Sequence, residues 1–156
     1  VSTNNNRWNG TIPTSTVFSL GADSFGNTNK SGDTYVAYVF SEVAGYSKFG
    51  SYTGNGSTDG PFIYTGFRPA YLMVKCSSIS STNWLIFDYK RNTYNVVNLE
   101  FNANNSNAEY DNGRAMDFTA NGIKIRSGAG DNFNTSSATY IYAAFAEYPF
   151  KYSTAR

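Results

Sequence analysis

The sequence predicts an all-β fold: a two-sheet β-sandwich of about eight strands, preceded by an N-terminal hairpin. Three observations predict it. Composition is the first: 17% of the residues are aromatic, Asn, Ser and Thr make up about a third, and Gln is absent. Tyr, Phe, Thr and Val suit pleated, half-buried surfaces, and Asn, Ser and Gly suit turns. The second is punctuation, short apolar runs separated by turn signals along the whole chain. The third is a repeat. Residues 18–42, FSLGADSFGNTNKSGDTYVAYVFSE, align without a gap to residues 123–147, IKIRSGAGDNFNTSSATYIYAAFAE, at a period of 105 residues. Asn29 with Asn134, Tyr35 with Tyr140, Phe40 with Phe145 and Glu42 with Glu147 are identical pairs.

A fixed period marks a repeated structural unit. It divides the chain into residues 1–45, the closing hairpin of a preceding unit, and residues 46–156, a complete unit. The chain then reads as a piece of a longer tandem protein, or as a unit whose first hairpin is borrowed. It begins without Met, so an upstream segment is expected. The period is too long for a propeller blade or a solenoid turn, which favours the sandwich.

The elements follow in order. TYVAYVF and its copy TYIYAAF are apolar on both faces, as central strands covered on both sides are. YSKFGSYT alternates loosely over residues 46–53. PFIYTG is short, and Pro61 suits a strand start or an edge. YLMVKC (71–76) and NWLIFDY (83–89) are strongly apolar around the loop SSISST. Residues 96–101 form a further strand, and NANNSNAEYDNGR (102–114) reads as a polar loop. DFTANGIKIR (117–126) is the clearest hairpin, with Asn121-Gly122 as a turn of positive φ at both central positions. Asn9-Gly10, Asn55-Gly56 and Asn112-Gly113 are further turns with less certain flanks. Trp84, within an apolar strand, is assigned to the core, and so is the lone thiol, Cys76.

Much chemistry is excluded. A single cysteine forms no internal disulfide. With no histidine in the chain, Ser-His-Asp and Cys-His nucleophile pairs and the usual zinc sites are impossible. Formal net charge is +1 without a block of like charge, which argues against nucleic acid as the main partner. No apolar run approaches the roughly 20 residues of a membrane-spanning helix, and no signal peptide is visible. No cofactor motif is present. GSYTGNGSTDG (50–60) lacks the lysine and following helix of a phosphate loop and reads as a β-loop with several positive-φ positions.

Carboxylates are the remaining acid–base candidates: Asp23, Asp33, Glu42, Asp59, Asp88, Glu100, Glu109, Asp111, Asp117, Asp131 and Glu147. A glycosidase holds two of them across a cleft, and nothing in the sequence pairs any two. Glu42 and Glu147 read as solvated strand ends or turn partners. NNSNAEYDN and GAGDNFN are acidic and polar enough for calcium but lack its regular ligand spacing, so no metal site is assigned. Asn9, Asn29, Asn55, Asn104 and Asn134 match the N-glycosylation pattern as chance allows in so Asn-rich a chain. The aromatics outnumber what a core of this size holds. Some of Tyr46, Tyr52, Tyr64, Tyr89, Tyr94, Tyr110, Tyr148 and Tyr152 are therefore expected at the surface, packing against other subunits or against sugar rings.

GDTYVAYVFSEVAGYSKFGSYTGNGSTDGPFIYTGFRPAYLMVK, NWLIFDYKRNTYNVV, DFTANGIKIR and ATYIYAAFAEYPFK together resemble a family of domains in bacteriophage tail-fibre and related virion proteins. The resemblance covers roughly residues 14–151. It implies tandem units, a sandwich of jelly-roll or lectin-like type, an extracellular virion location, a homotrimer and other tail proteins as partners. It carries no established activity and no ligand residues. The expectation is a non-enzymatic structural and host-attachment domain that presents a surface to a receptor or host glycan, with no catalytic residue assigned. The alternatives are a stand-alone carbohydrate-binding module of a secreted or cell-surface protein, and a polysaccharide hydrolase with two facing carboxylates.

Overall fold

A computed structural model describes residues 5–22, 28–128 and 132–148. Contacts divide the chain into two units, Val1–Phe40 and Ser41–Arg156. Asp23, Asp131 and Tyr152 lie outside the described residues.

The second unit is all-β. Its strands are β1 (Ser47–Thr53), β2 (Phe62–Tyr64), β3 (Pro69–Cys76), β4 (Trp84–Asp88), β5 (Val97–Asn102), β6 (Tyr110–Thr119), β7 (Gly122–Ile125) and β8 (Thr139–Ala146). They form one antiparallel sheet of order β1-β8-β3-β4-β5-β6-β7-β2 that is nearly barrel-shaped. β5 pairs with β4 only at Leu85↔Asn102 and Ile86↔Phe101, and its register with β6 shifts between Val97 and Leu99. Irregular pairing of this kind adds local twist and curls a sheet.

Alternation sets the core, because successive strand residues point to opposite faces. Leu72, Val74, Leu85, Phe87, Met116, Phe118, Ile123, Ile125, Tyr140 and Ala144 are buried inward. Tyr140 stacks on Tyr52 at 4.8 Å between centroids, and the Tyr52 hydroxyl donates to the Phe133 carbonyl at 2.8 Å. Cys76 is buried, as expected. Trp84 is not a core residue: it is half-buried on the opposite face from Leu85 and Phe87. Glu100 also points inward and is fully buried; its Oε1 lies 2.5 Å from Arg114 Nη1.

Two local expectations are corrected. The β6–β7 hairpin forms, but Thr119 pairs with Gly122, so the turn is Ala120-Asn121 and its φ values are not positive. Gly122 is there for space: a Cβ on it would sit 2.4 Å from the Ile63 carbonyl. Residues 110–114, expected in a polar loop, are the first half of β6, with an outward polar face. In residues 50–60 only Gly56 has positive φ. Gly54 and Gly60 instead allow close packing, on the Thr135 carbonyl and on Ile125.

β8 is central, lying between β1 and β3 in unbroken register with β1. Tyr140, Tyr142 and Ala144 face the core, while on the outside Ala143 and Phe145 are part-covered and Ile141 is exposed. There Phe145 meets Tyr46, Phe49 and Tyr71 edge-on at 5.8–5.9 Å.

The first unit has a helical turn, Asn5–Trp8, and then Asn9-Gly10 with φ of 53° and 58°. The N-terminal hairpin expected over residues 18–42 is not built as paired strands. Residues 17–20 and 33–40 lie in no ladder, and Val36, Tyr38 and Val39 are exposed. A strand exists only where neighbours take its N–H and C=O groups; β8 has β1 and β3 for this. The loop between the two halves does repeat. Lys30 N donates to Tyr35 Oη at 3.0 Å, and Thr135 N donates to Tyr140 Oη at 3.0 Å. Asp33 N reaches Lys30 O at 3.2 Å, and Ala138 N reaches Thr135 O at 3.1 Å. Gly32 and its counterpart Ser137 both have positive φ, 87° and 62°.

Candidate functional site

The two edge strands of the sheet, β1 and β2, approach one another and leave a cleft of about 460 Å³. It is lined by Glu42, Ala44, Gly45, Ser47 and Lys48 from the start of β1 and by Tyr64, Thr65 and Gly66 from the end of β2. The turn into β1 is set by Val43, whose N–H and C=O both bond Ser47, and by Gly45 at φ 76°. The Ser47 hydroxyl accepts from Val43 N at 3.0 Å and donates to Ser41 O at 2.9 Å. Thr65 turns its hydroxyl onto Phe67 O at 2.6 Å.

Glu42 reaches back over β1. Its Oε2 takes Lys48 Nζ at 2.9 Å and its Oε1 takes Phe49 N at 3.2 Å. The Lys48 hydrogen bond, followed by the Phe49 N–H, holds the Glu42 carboxyl below its ordinary range, and Glu42 in turn raises Lys48. The cleft therefore presents a carboxylate and an ammonium beside the exposed Tyr64 ring. That set of an apolar platform with a donor and an acceptor can hold a polyhydroxylated ligand.

The other described carboxylates are held too. Asp33 pairs with Lys30 at 3.6 Å, Asp59 with Lys124 at 2.6 Å and Asp117 with Arg126 at 2.6 Å. Arg91 takes Asp88 at 2.6 Å and Glu109 at 3.4 Å. Glu147, the counterpart of Glu42, pairs with Arg68 at 3.4 Å. Asp111 accepts from Asn98 Nδ2 at 2.7 Å and from Gly113 N at 2.9 Å. Asp59 is lowered chiefly by its Lys124 hydrogen bond. Burial alone would raise Asp88, but the Arg91 side chain and the N–H groups of Arg91 and Lys90 outweigh it and lower it. Glu42 bonds back across the turn into β1 and follows no strand, whereas Glu147 follows the end of β8 and pairs with Arg68. Among the described residues no three His, Cys, Asp or Glu side chains come together as a metal site.

Asn134 is the polar residue that sequence reasoning passed over. It is fully buried. Its Nδ2 donates to Asn55 Oδ1 at 3.0 Å, Ser57 O at 2.8 Å and Ser127 O at 2.7 Å, and its Oδ1 accepts from Asn55 N at 2.9 Å. It ties the loop after β1 to the loop before β8, so its glycosylation pattern is not usable in the folded chain. Of the aromatics weighed for the surface, Tyr46, Tyr64, Tyr94 and Tyr148 are exposed, Tyr89 and Tyr110 are part-buried, and Tyr52 is core. Tyr64 alone among them lines the cleft. Lys48 and Ser47 carried no signal, because the cleft exists only once the sheet curls.

Residues 1–149 match the model of a family described as a domain of unknown function (DUF7483), and the chain belongs to that family. The match runs across both units. No curated protein and no solved structure matches the chain.

Proposed function

We propose that the chain is a structural and host-attachment domain of a bacteriophage tail fibre or tail appendage, non-enzymatic, presenting a surface to a receptor or host glycan. The observation that carries this reading is where the aromatic rings lie. The outer face of β1, β8 and β3 bears Tyr46, Phe49, Tyr71 and Phe145 in edge-on contact, a surface of the kind that packs against another copy. Tyr64 stands open over the cleft, with Glu42 and Lys48 beside it. The carboxylates point the same way. Acid catalysis needs a carboxyl kept protonated by its surroundings, and Glu42, at the cleft, is instead lowered by Lys48 and the Phe49 N–H.

In this reading the bent sheet is a two-layer sandwich hinged at β5. Residues 1–45 are the closing hairpin of a preceding unit, and the domain works outside the cell, on the virion, as a homotrimer among other tail proteins. Two measurements test it. Sedimentation of the chain gives the mass of a trimer, and host-surface polysaccharide is retained on immobilised chain, with retention lost in Tyr64→Ala. A monomer with saturable glycan binding favours a stand-alone carbohydrate-binding module. A monomer that retains nothing overturns both.

A further inference from the structure

We propose that Thr34–Ser41 is a closing strand: it completes the sheet of another unit of this family by lying antiparallel between the strands that correspond to β1 and β3. The inference rests on the modular reading above and names the partner. The segment is the 105-residue counterpart of β8, Thr139–Ala146. β8 shows what covers such a sequence: β1 on one side, β3 on the other, and the core beneath. In the first unit the same pattern is largely exposed: Val36 is 76% exposed, Tyr38 82% and Val39, the counterpart of the fully buried Ala144, 72%. A run of that many exposed apolar side chains is a docking surface, and a strand docks by adding to a sheet. The preceding loop is already shaped for it, since the Tyr35 and Tyr140 clasps are alike. The family match spans residues 1–149, so it takes in the segment together with the unit it precedes.

The register assigns the faces. Tyr35, Ala37 and Val39 correspond to the inward Tyr140, Tyr142 and Ala144. Side-chain size then says what the accepting unit looks like. In this chain the Tyr142 ring lies over Gly50, where an added Cβ would be only 3.0 Å from Tyr142 Oη. Ala37 has no ring to place there. The accepting unit therefore carries a real side chain at the Gly50 position and more room opposite Val39 than this chain has around Ala144. A second copy of this chain, whose slot already holds β8, is the poorer partner.

A fusion tests this. Residues 46–122 placed directly before Phe18 of the full chain keep the period and supply a unit that only residues 18–42 can close. In the chain alone, the amides of residues 35–40 are expected to exchange rapidly with deuterated water. In the fusion they are expected to become protected. Gly50→Val in the upstream copy, facing Ala37, should hold or raise that unit's melting temperature, and the same change in the downstream copy, facing Tyr142, should lower it. A control fusion carries the β8 sequence at residues 34–41 (Val36→Ile, Ala37→Tyr, Tyr38→Ala, Val39→Ala, Ser41→Ala). Protection in the control alone, with none gained by the first fusion even when its upstream copy carries Gly50→Val, overturns the strand assignment and leaves the repeat standing. Exchange that stays rapid in both fusions overturns the repeat as well. A fall in both units on Gly50→Val overturns the proposed facing of Ala37.

Discussion

Tyr35 and Tyr140 hold the same bond: each accepts the backbone N–H of the residue five before it, Lys30 or Thr135, at 3.0 Å. The strands that follow them fare differently. Tyr140 continues into β8 between two neighbours, and Tyr35 continues into residues that join no ladder. Short-range hydrogen bonds need only the local sequence, so the loop is rebuilt in both copies. A strand needs partners distant in sequence, so the identical pattern does not suffice.

Asn134 is expected to matter far more than its counterpart. Asn134→Ala leaves the carbonyls of Ser57 and Ser127 and the Asn55 amide to find other partners inside the protein. It should cost about 3 kcal/mol, read from chemical denaturation. Asn29→Ala removes a bond to the Gly21 carbonyl and should cost less than about 1 kcal/mol.

Arg114→Ala strands the buried Glu100 charge. Removing one partner of a buried pair costs about 3–5 kcal/mol. Adding Glu100→Gln to Arg114→Ala should recover part of that loss, because the stranded charge goes with it. Equal stability of the single and the double variant would contradict this.

Stability should be level in the neutral range and fall at both ends of the pH scale. The Glu42, Asp59 and Asp88 pKa values lie below their ordinary 4.5, 3.8 and 3.8 when folded. Depressed carboxyls stabilise above the unfolded value, and that stability is lost as pH drops through the folded one, so the melting temperature should decline below about pH 4. Burial raises the hydroxyls of Tyr71, Tyr140 and Tyr142 above 10.0. A raised group stabilises below its unfolded pKa, and the loss comes as pH rises past about 10. Asp88→Asn should flatten the acid limb, as a thermal melt series would record.

Tyr64→Ala should leave the melting temperature within about two degrees, because exposed substitutions change stability by roughly 0.5 kcal/mol or less. Its effect should fall on ligand retention alone. A large loss of stability would mean that the ring supports the β2 edge rather than a bound molecule.

Much of this fold was legible in the sequence, and particular residues show where legibility stopped. Leu72, Val74, Leu85 and Phe87 alternate cleanly, so β3 and β4 announce themselves. Tyr110–Arg114 have a polar outward side and read as loop until β5 is seen to pair with them. Asn121-Gly122 gave the hairpin but not its register, since Gly122 serves the approach of Ile63 rather than a positive φ. Trp84 reads as core because the outer side of β4 is also apolar, yet it lies on the face opposite Leu85 and Phe87. The cleft at Tyr64 was not legible, because its walls are 16 or more residues apart in sequence and meet only through sheet curvature. Asn134 was hidden among five matches to a common pattern.

The proposed role is to hold host polysaccharide without breaking its bonds. The chain length of host-surface polysaccharide after prolonged incubation with the protein tests it most directly. The polysaccharide should be retained on the protein at its original length; progressive shortening would mean that the protein cleaves it.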